Sequence, residues 1–244
     1  MTGSINDIAA LAAVAKQAGA LVYVDSVQYA PHQAIDVQRL GCDFLACSAY
    51  KFFGPHLGLL WGREALLAAL HPYKGRCVSN ELPDRFELGT PQLELLAGLV
   101  AAFDYLVGLG AEVGAEGSRR ACIEAAFEAS QRYESALTQT LIAGLGEIPG
   151  VRIFGITDAH RCDERVPTVS LRVAGQAPGE IAAALAAEGI FVWHGHNYAY
   201  EPARQLEIPL DEGVLRIGLA HYNSAAEVER IVAAVRRATR SQAA

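Results

Sequence analysis

A chain of 244 residues that is 52% hydrophobic and 19% charged can bury a sizeable core, in one large domain or two smaller ones. Its net charge of -7, with no run of basic residues, argues against nucleic acid or an anionic membrane as the main partner. No uninterrupted apolar run approaches the ~20 residues of a bilayer span, the N-terminus lacks a signal-peptide pattern, and the five scattered cysteines include no CxxC pair. These features exclude a disulfide framework or a zinc site as the organising device and make a reducing cytoplasm the expected home.

Taken in chain order, Ser4 is placed to cap a helix over residues 5–18, with Gly19 as its stop. ALVYVDS (20–26) reads as a buried strand, short and rich in β-branched and aromatic residues. A short helix fits DVQRLG (36–41), buried strands fit DFLACS (43–48) and LGLLWG (57–62), and REALLAALH (63–71) is a further helix. This alternation predicts an α/β layered domain with a mostly parallel sheet. A polar loop covers 72–88. From Pro91 to about Leu109 comes a helix apolar nearly all round, hence expected to be well buried, and a second long helix fits 115–144. Beyond Pro149-Gly150 the segments VRIF, VPTVSLRV, IFVW and VLRIGLA read as strands, with helices over 178–188 and 225–240. That is a smaller α+β unit. The expected domains are 1–115 and 116–244.

The anomaly in this pattern is Lys51, set inside DFLACSAYKFFGPHLGLLWG and one of only three lysines in the chain. Two readings follow from its surroundings. The stem is buried while the ammonium reaches a surface carboxylate, or the amine is kept for Schiff-base chemistry, which suggests pyridoxal phosphate. That cofactor requires an acid for its pyridinium nitrogen and donors for its phosphate. Asp25 ends a predicted buried strand, the edge at which parallel α/β sheets bind ligands. Taken alone it is equally a turn or helix-capping residue.

The run VDSVQYAPHQAIDVQRLGCDFLACSAYKFFGPHLGLLWGRE resembles the cofactor region of the class V aminotransferase family. Within that family the likeness is to cysteine desulfurases and cysteine desulfurase-like proteins. It continues through RFELGTPQ (85–92), GIFVWHGHNYA (189–199) and LRIGLAHYNSAAEVERIV (215–232), so it covers essentially the whole chain. The resemblance implies the fold-type I architecture of pyridoxal phosphate-dependent transferases, with residues 1–115 as the C-terminal part of the cofactor-binding domain. It implies a transferase or lyase acting on a small amino acid. Lys51 matches the lysine that forms the Schiff base and then moves protons, and Asp25 the partner of the pyridine nitrogen. Gln28 matches the residue on the cofactor's phenolic oxygen. Ser48 and Tyr50 stand where the phosphate is usually contacted, although desulfurases more often carry His at the second position. Thr90 matches the residue that reaches the phosphate in the partner subunit, which implies a homodimer with composite sites. Arg216 matches the arginine that clamps the substrate carboxylate, a task suited to a planar fork of donors. Its alternative is a strand arginine in an ordinary salt bridge.

Two departures qualify the resemblance. Desulfurases carry a nucleophilic cysteine in the loop GHNYAYEP, and the matching position here is Tyr198. No cysteine lies between 163 and 244, which leaves Cys77 in the polar loop as the alternative thiol. In the same stretch His194 and His196 form an HxH that suggests pocket residues, His196 as a substrate contact, rather than a metal site. The second departure is length. The chain opens on MTGSIND, similar to a mid-protein loop of the family, so an open sheet edge is expected. The alternative to a working enzyme is therefore a catalytically incomplete fragment or a dimerisation module derived from one.

Overall fold

The computed structural model describes residues 1–240 as two compact units, Asn6–Glu128 and the chain from Ala129 onward together with Met1–Ile5. In the first unit, α1 (Ile8–Gln17) is capped by Asp7, whose carboxylate accepts the Ala10 N–H at 3.0 Å. Ser4 does not cap it. Ser4 bridges Arg165 and the Ile5 N–H donates to the Glu164 carbonyl at 2.9 Å, which holds this segment in the second unit. Gly19 does stop the helix. At φ +72° it donates to Lys16 O, and Ala20 donates back to Ala15 O, both at 3.0 Å, the two bonds of a left-handed helix end.

β1 (Tyr23–Asp25) pairs parallel with β2 (Phe44–Ser48), and the intervening α2 (Val37–Leu40) is capped by Asp36 through the Gln38 and Arg39 N–H groups. β3 (Gly58–Gly62) runs antiparallel to β2, so the three-stranded sheet is mixed rather than mostly parallel. The connection 49–57 is shorter than the dozen or so residues that a parallel crossover needs. The strands are also less buried than expected. Tyr23 and Leu60 are each 60% exposed, and the register Tyr23↔Phe44 and Ala46↔Leu60 puts them on the same face of this sheet.

α3 (Glu64–Ala69) leads into the loop before α4 (Leu93–Glu112). By length and composition α4 is apolar enough to cross a membrane. In this unit it buries one stripe, Leu99, Ala102, Leu106 and Gly110, while Leu93, Val100 and Val113 are exposed. The expectation of a well-buried helix is thus corrected to a helix packed on one face. α5 (Arg119–Gly146) crosses α4 closely at Gly110, where an added Cβ would run into the Cys122 carbonyl. Backbone has no room to yield there. Gly110→Ala should cost about 1–3 kcal/mol, read as a lowered midpoint in thermal denaturation.

The chain passes between units within α5, later than the boundary expected near residue 115. One continuous helix serves both, with Cys122 and Ala126 in the first unit and Leu137, Leu141 and Leu145 in the core of the second. That second unit holds an antiparallel sheet in the order β4 (Val151–Phe154), β5 (Thr168–Val173), β7 (Val214–Gly218), β6 (Trp193–Gly195). Also in it are α6 (Pro178–Ala187), α7 (Tyr200–Gln205) and α8 (Ala225–Arg240). Val169, Leu171, Leu215 and Ile217 face a core shared with Leu185 of α6 and Val228 and Val235 of α8. Period-two alternation turns Val214 and Arg216 to the opposite face. There Val214 and Phe154 pack with Ala203 and Ile208.

β6 starts three residues later than the IFVW reading. Gly189 (φ +72°) ends α6, and the Ile190 N–H donates to Leu185 O at 3.0 Å. Ile190 and Val192 are therefore apolar because they pack on the core, not because they pair in the sheet.

Candidate active site

The parallel register Asp25↔Ala46 places the end of β1 beside the end of β2. Ser26 fastens the two by donating its N–H and its Oγ to Ala46 O, each at 2.9 Å. Asp25, exposed, and Ser48, half-buried, thus stand at one carboxyl edge, and Lys51 follows in the single 3-10 turn Ala49–Phe52. The Asp25 carboxylate accepts the Val27 N–H at 2.9 Å, which starts the turn carrying Gln28. Gln28 is exposed beside it. Thr90 is exposed in the loop before α4, with no contact to this edge among the described residues.

Lys51 is half-buried, and its Nζ meets no carboxylate or carbonyl among the described residues. Nζ lies over the Tyr50 ring, 4.9 Å from its centroid. The other two lysines are committed, Lys16 to Asp43 at 3.6 Å and Lys74 to Val78 O at 2.7 Å. The reading in which Lys51 reaches a surface carboxylate therefore finds no partner here. The turn that carries Lys51 is tightly made. Ala49 is fully buried and donates to Leu57 O at 2.8 Å, and Phe53 closes the turn at φ +70°, a conformation that is uncommon for a bulky residue. Tyr50 stacks on His56 with ring centroids 4.8 Å apart. Sequence reading did not single out His56, since no local pattern ties it to Lys51. The loop closure brings the two rings together.

Burial pushes the thiols of Cys47, within β2, and of Cys42, at the opposite end of that strand, up from the ordinary cysteine range, while Cys77 is exposed in the loop after α3.

In the second unit Arg216 lies on β7 opposite Ser170 of β5 and Trp193 of β6. It is half-buried, and loss of solvent lowers the pKa of its guanidinium. No carboxylate pairs with it among the described residues. Its strand neighbour Arg172, by contrast, pairs with Glu212 and donates to Gly213 O at 2.6 Å. The ordinary salt-bridge reading of Arg216 thus finds no acid either.

The two histidines of the HxH do not converge. His194 packs over Gly179 at the start of α6, and His196 meets the Tyr200 ring of α7 at 6.2 Å. The buried Nδ1 of His196 has no hydrogen-bond partner among the described residues. Among the described residues no three His, Cys, Asp or Glu side chains are grouped to hold a metal ion. Asn197 (φ +53°) and Tyr198 (φ +61°) form a tight turn closed by the Ala199 N–H donating to His196 O at 2.9 Å. This displays Tyr198 fully exposed at the tip. Gly213 (φ +67°) is required below it, because a Cβ there would strike the Gly195 backbone.

Residues 1–231 match the family model of the class-V aminotransferases. The probable cysteine desulfurase of Synechocystis is 33% identical over 239 residues, which are 93% of this chain and 52% of that protein. An aminotransferase-like protein of Gibberella zeae is 34% identical over 96% of this chain and 55% of its own length. Among solved structures, the apo cysteine desulfurase of Thermococcus onnurineus superposes with a TM-score of 0.81 at 28% identity, over 96% of this chain and 56% of that one. The cysteine desulfurase CsdA of Escherichia coli gives 0.80 at 29% identity, over 98% and 56%. The chain thus spans about half the length of the curated relatives it matches.

Proposed function

Since this chain belongs to the class-V aminotransferase family, we propose that it serves a pyridoxal phosphate-dependent transferase or lyase of the cysteine desulfurase-like kind. Its substrate is a small amino acid. The observation that carries this reading is Lys51, a half-buried amine without an acid partner at the carboxyl edge that also bears Asp25 and Ser48. The donor set fits the cofactor: one uncommitted amine, one carboxylate and a hydroxyl on a single edge.

When bound, pyridoxal phosphate supplies an electron sink for bond breaking at the substrate α-carbon. Lys51 would be the covalent attachment point, and its Nζ would move the proton at that carbon. Asp25 would accept a hydrogen bond from the protonated ring nitrogen, and Gln28 would donate one from its amide to the phenolic oxygen. Ser48 and Tyr50 would donate hydroxyl hydrogen bonds to the phosphate. Thr90 would do so for the phosphate of the partner subunit in a homodimer. Arg216 would bind the substrate carboxylate, with His196 as a further substrate contact.

Tyr198 sets the reaction apart from cysteine desulfuration, because a phenol cannot take up substrate sulfur. With pyridoxal phosphate added, the chain should consume at least one small L-amino acid other than cysteine, followed by chromatography of the reaction mixture. Consumption of none by folded protein would sink the enzyme reading. With a dithiol reductant present to release the persulfide sulfur as sulfide, Tyr198→Cys should raise sulfide release from cysteine by about tenfold or more, since the turn already presents that position to solvent. No gain would mean that the pocket was shaped for another bond cleavage.

The half-length match favours a second reading, a fragment or dimerisation module that holds no cofactor. A cooperative melt with no bound pyridoxal phosphate would support it.

A further inference from the structure

A row of three side chains, Ser170, Arg216 and Trp193, runs across β5, β7 and β6. Directly opposed residues of antiparallel strands share a face, with Cβ atoms about 4.5–5.5 Å apart. Ser170 is fully buried and its hydroxyl donates to Met1 O at 2.8 Å. The other arginines of this face are engaged: Arg172 with Glu212, and Arg152 over the Phe154 ring at 4.8 Å. Arg216 and Trp193 differ. Arg216 is a half-buried cation without an anion, and Trp193 is 64% exposed with no ring or hydrogen-bond partner among the described residues.

A partly desolvated guanidinium is stabilised by an anion, and an uncovered indole by apolar surface. Side by side on adjacent strands, the two fit one ligand that carries a carboxylate and, within about one strand spacing (~4.8 Å), an apolar group. An α-amino or α-oxo acid with an alkyl side chain has that form. A second carboxylate in its place would be drawn out of water against an indole that cannot donate to it from its face.

We propose that Trp193 determines substrate specificity, forming an apolar wall beside the carboxylate site that selects uncharged, apolar side chains over acidic ones. The inference rests on the reading of Arg216 as the carboxylate partner. It narrows the small amino acid of that reading to one with an apolar side chain.

The test is calorimetric titration of the 244-residue chain with 3-methylbutanoate and with malonate, which differ in whether the group beyond the carboxylate is alkyl or charged. Wild type should bind 3-methylbutanoate at least about tenfold more tightly than malonate. Trp193→Ala should reduce that ratio about tenfold and Trp193→Phe should keep most of it, with circular dichroism confirming that both variants fold. Arg216→Gln should abolish binding of both acids. If Trp193→Ala leaves the ratio unchanged while Arg216→Gln abolishes binding, the specificity role is wrong and the carboxylate site stands. Should Arg216→Gln bind both acids as wild type does, the carboxylate site itself is misplaced. Failure of wild type to bind either acid overturns both.

Discussion

Replacing Lys51 by alanine should abolish covalent attachment of pyridoxal phosphate while leaving the fold nearly unchanged. After borohydride reduction, wild-type chain should carry a stable adduct that peptide mass spectrometry maps to Lys51, and Lys51→Ala should carry none. The specificity follows from the state of the three lysines. Lys16 is held by Asp43 and Lys74 by a backbone carbonyl, whereas Nζ of Lys51 lies over the Tyr50 ring with no ion pair or hydrogen bond among the described residues. That ring contact is worth about 0.5–1 kcal/mol, so the thermal midpoint should move little. Turnover should fall by on the order of 10²–10⁴ for loss of proton transfer alone. Lys51→Arg is the sharper control. It keeps a cation over Tyr50, yet a guanidinium does not deprotonate to attack a carbonyl, so it too should carry no adduct. An adduct persisting on Lys16 or Lys74 in both variants would refute the assignment.

Much of this edge was legible in the sequence because it broke local rules. A lysine in an apolar run and an aspartate closing a buried strand are each conspicuous, and strand-turn chemistry places them on one side of the sheet. The stop at Gly19 and the strands in VRIF and VPTVSLRV were also readable, since caps and period-two patterns are local signals. What escaped was non-local. Ser4 has the chemistry of a cap, but its segment pairs with Arg165 far along the chain, and Asp7 takes the role. α4 reads as buried because composition reports what a helix can bury, not what stands against it. The adjacency of Trp193 and Arg216 depends on the register between β6 and β7, which no window of sequence contains. The stacking of His56 on Tyr50 depends likewise on how the loop 49–57 closes.

Asp43 escaped for the same reason, and its removal should be among the most damaging single changes to the first unit. It is 3% exposed and sits just ahead of β2, at the end of the sheet away from Lys51. Its carboxylate accepts the Val22 N–H at 2.8 Å ahead of β1 and pairs with Lys16 of α1 at 3.6 Å and with Arg63 beyond β3 at 3.1 Å. One side chain therefore ties together the approach to every strand of the sheet that positions Asp25, Ser48 and Lys51. Asp43→Ala leaves a half-buried N–H unpaired but lets Lys16 and Arg63 turn to solvent, so about 1–3 kcal/mol is expected, with Asp43→Asn milder because it keeps an acceptor. The Val22 N–H, and after it the charges of Lys16 and Arg63, hold the Asp43 carboxyl below its usual range, against the opposing effect of burial. A depressed folded-state pKa contributes stability that is full above the unfolded carboxylate range near ~4 and is lost as pH falls through the folded value. The gap in unfolding free energy between wild type and Asp43→Asn, measured by urea denaturation, should thus be widest at neutral pH and close on acidification. A gap that stays constant from pH 7 to pH 3 would show that the carboxylate charge at this corner contributes nothing to holding the sheet.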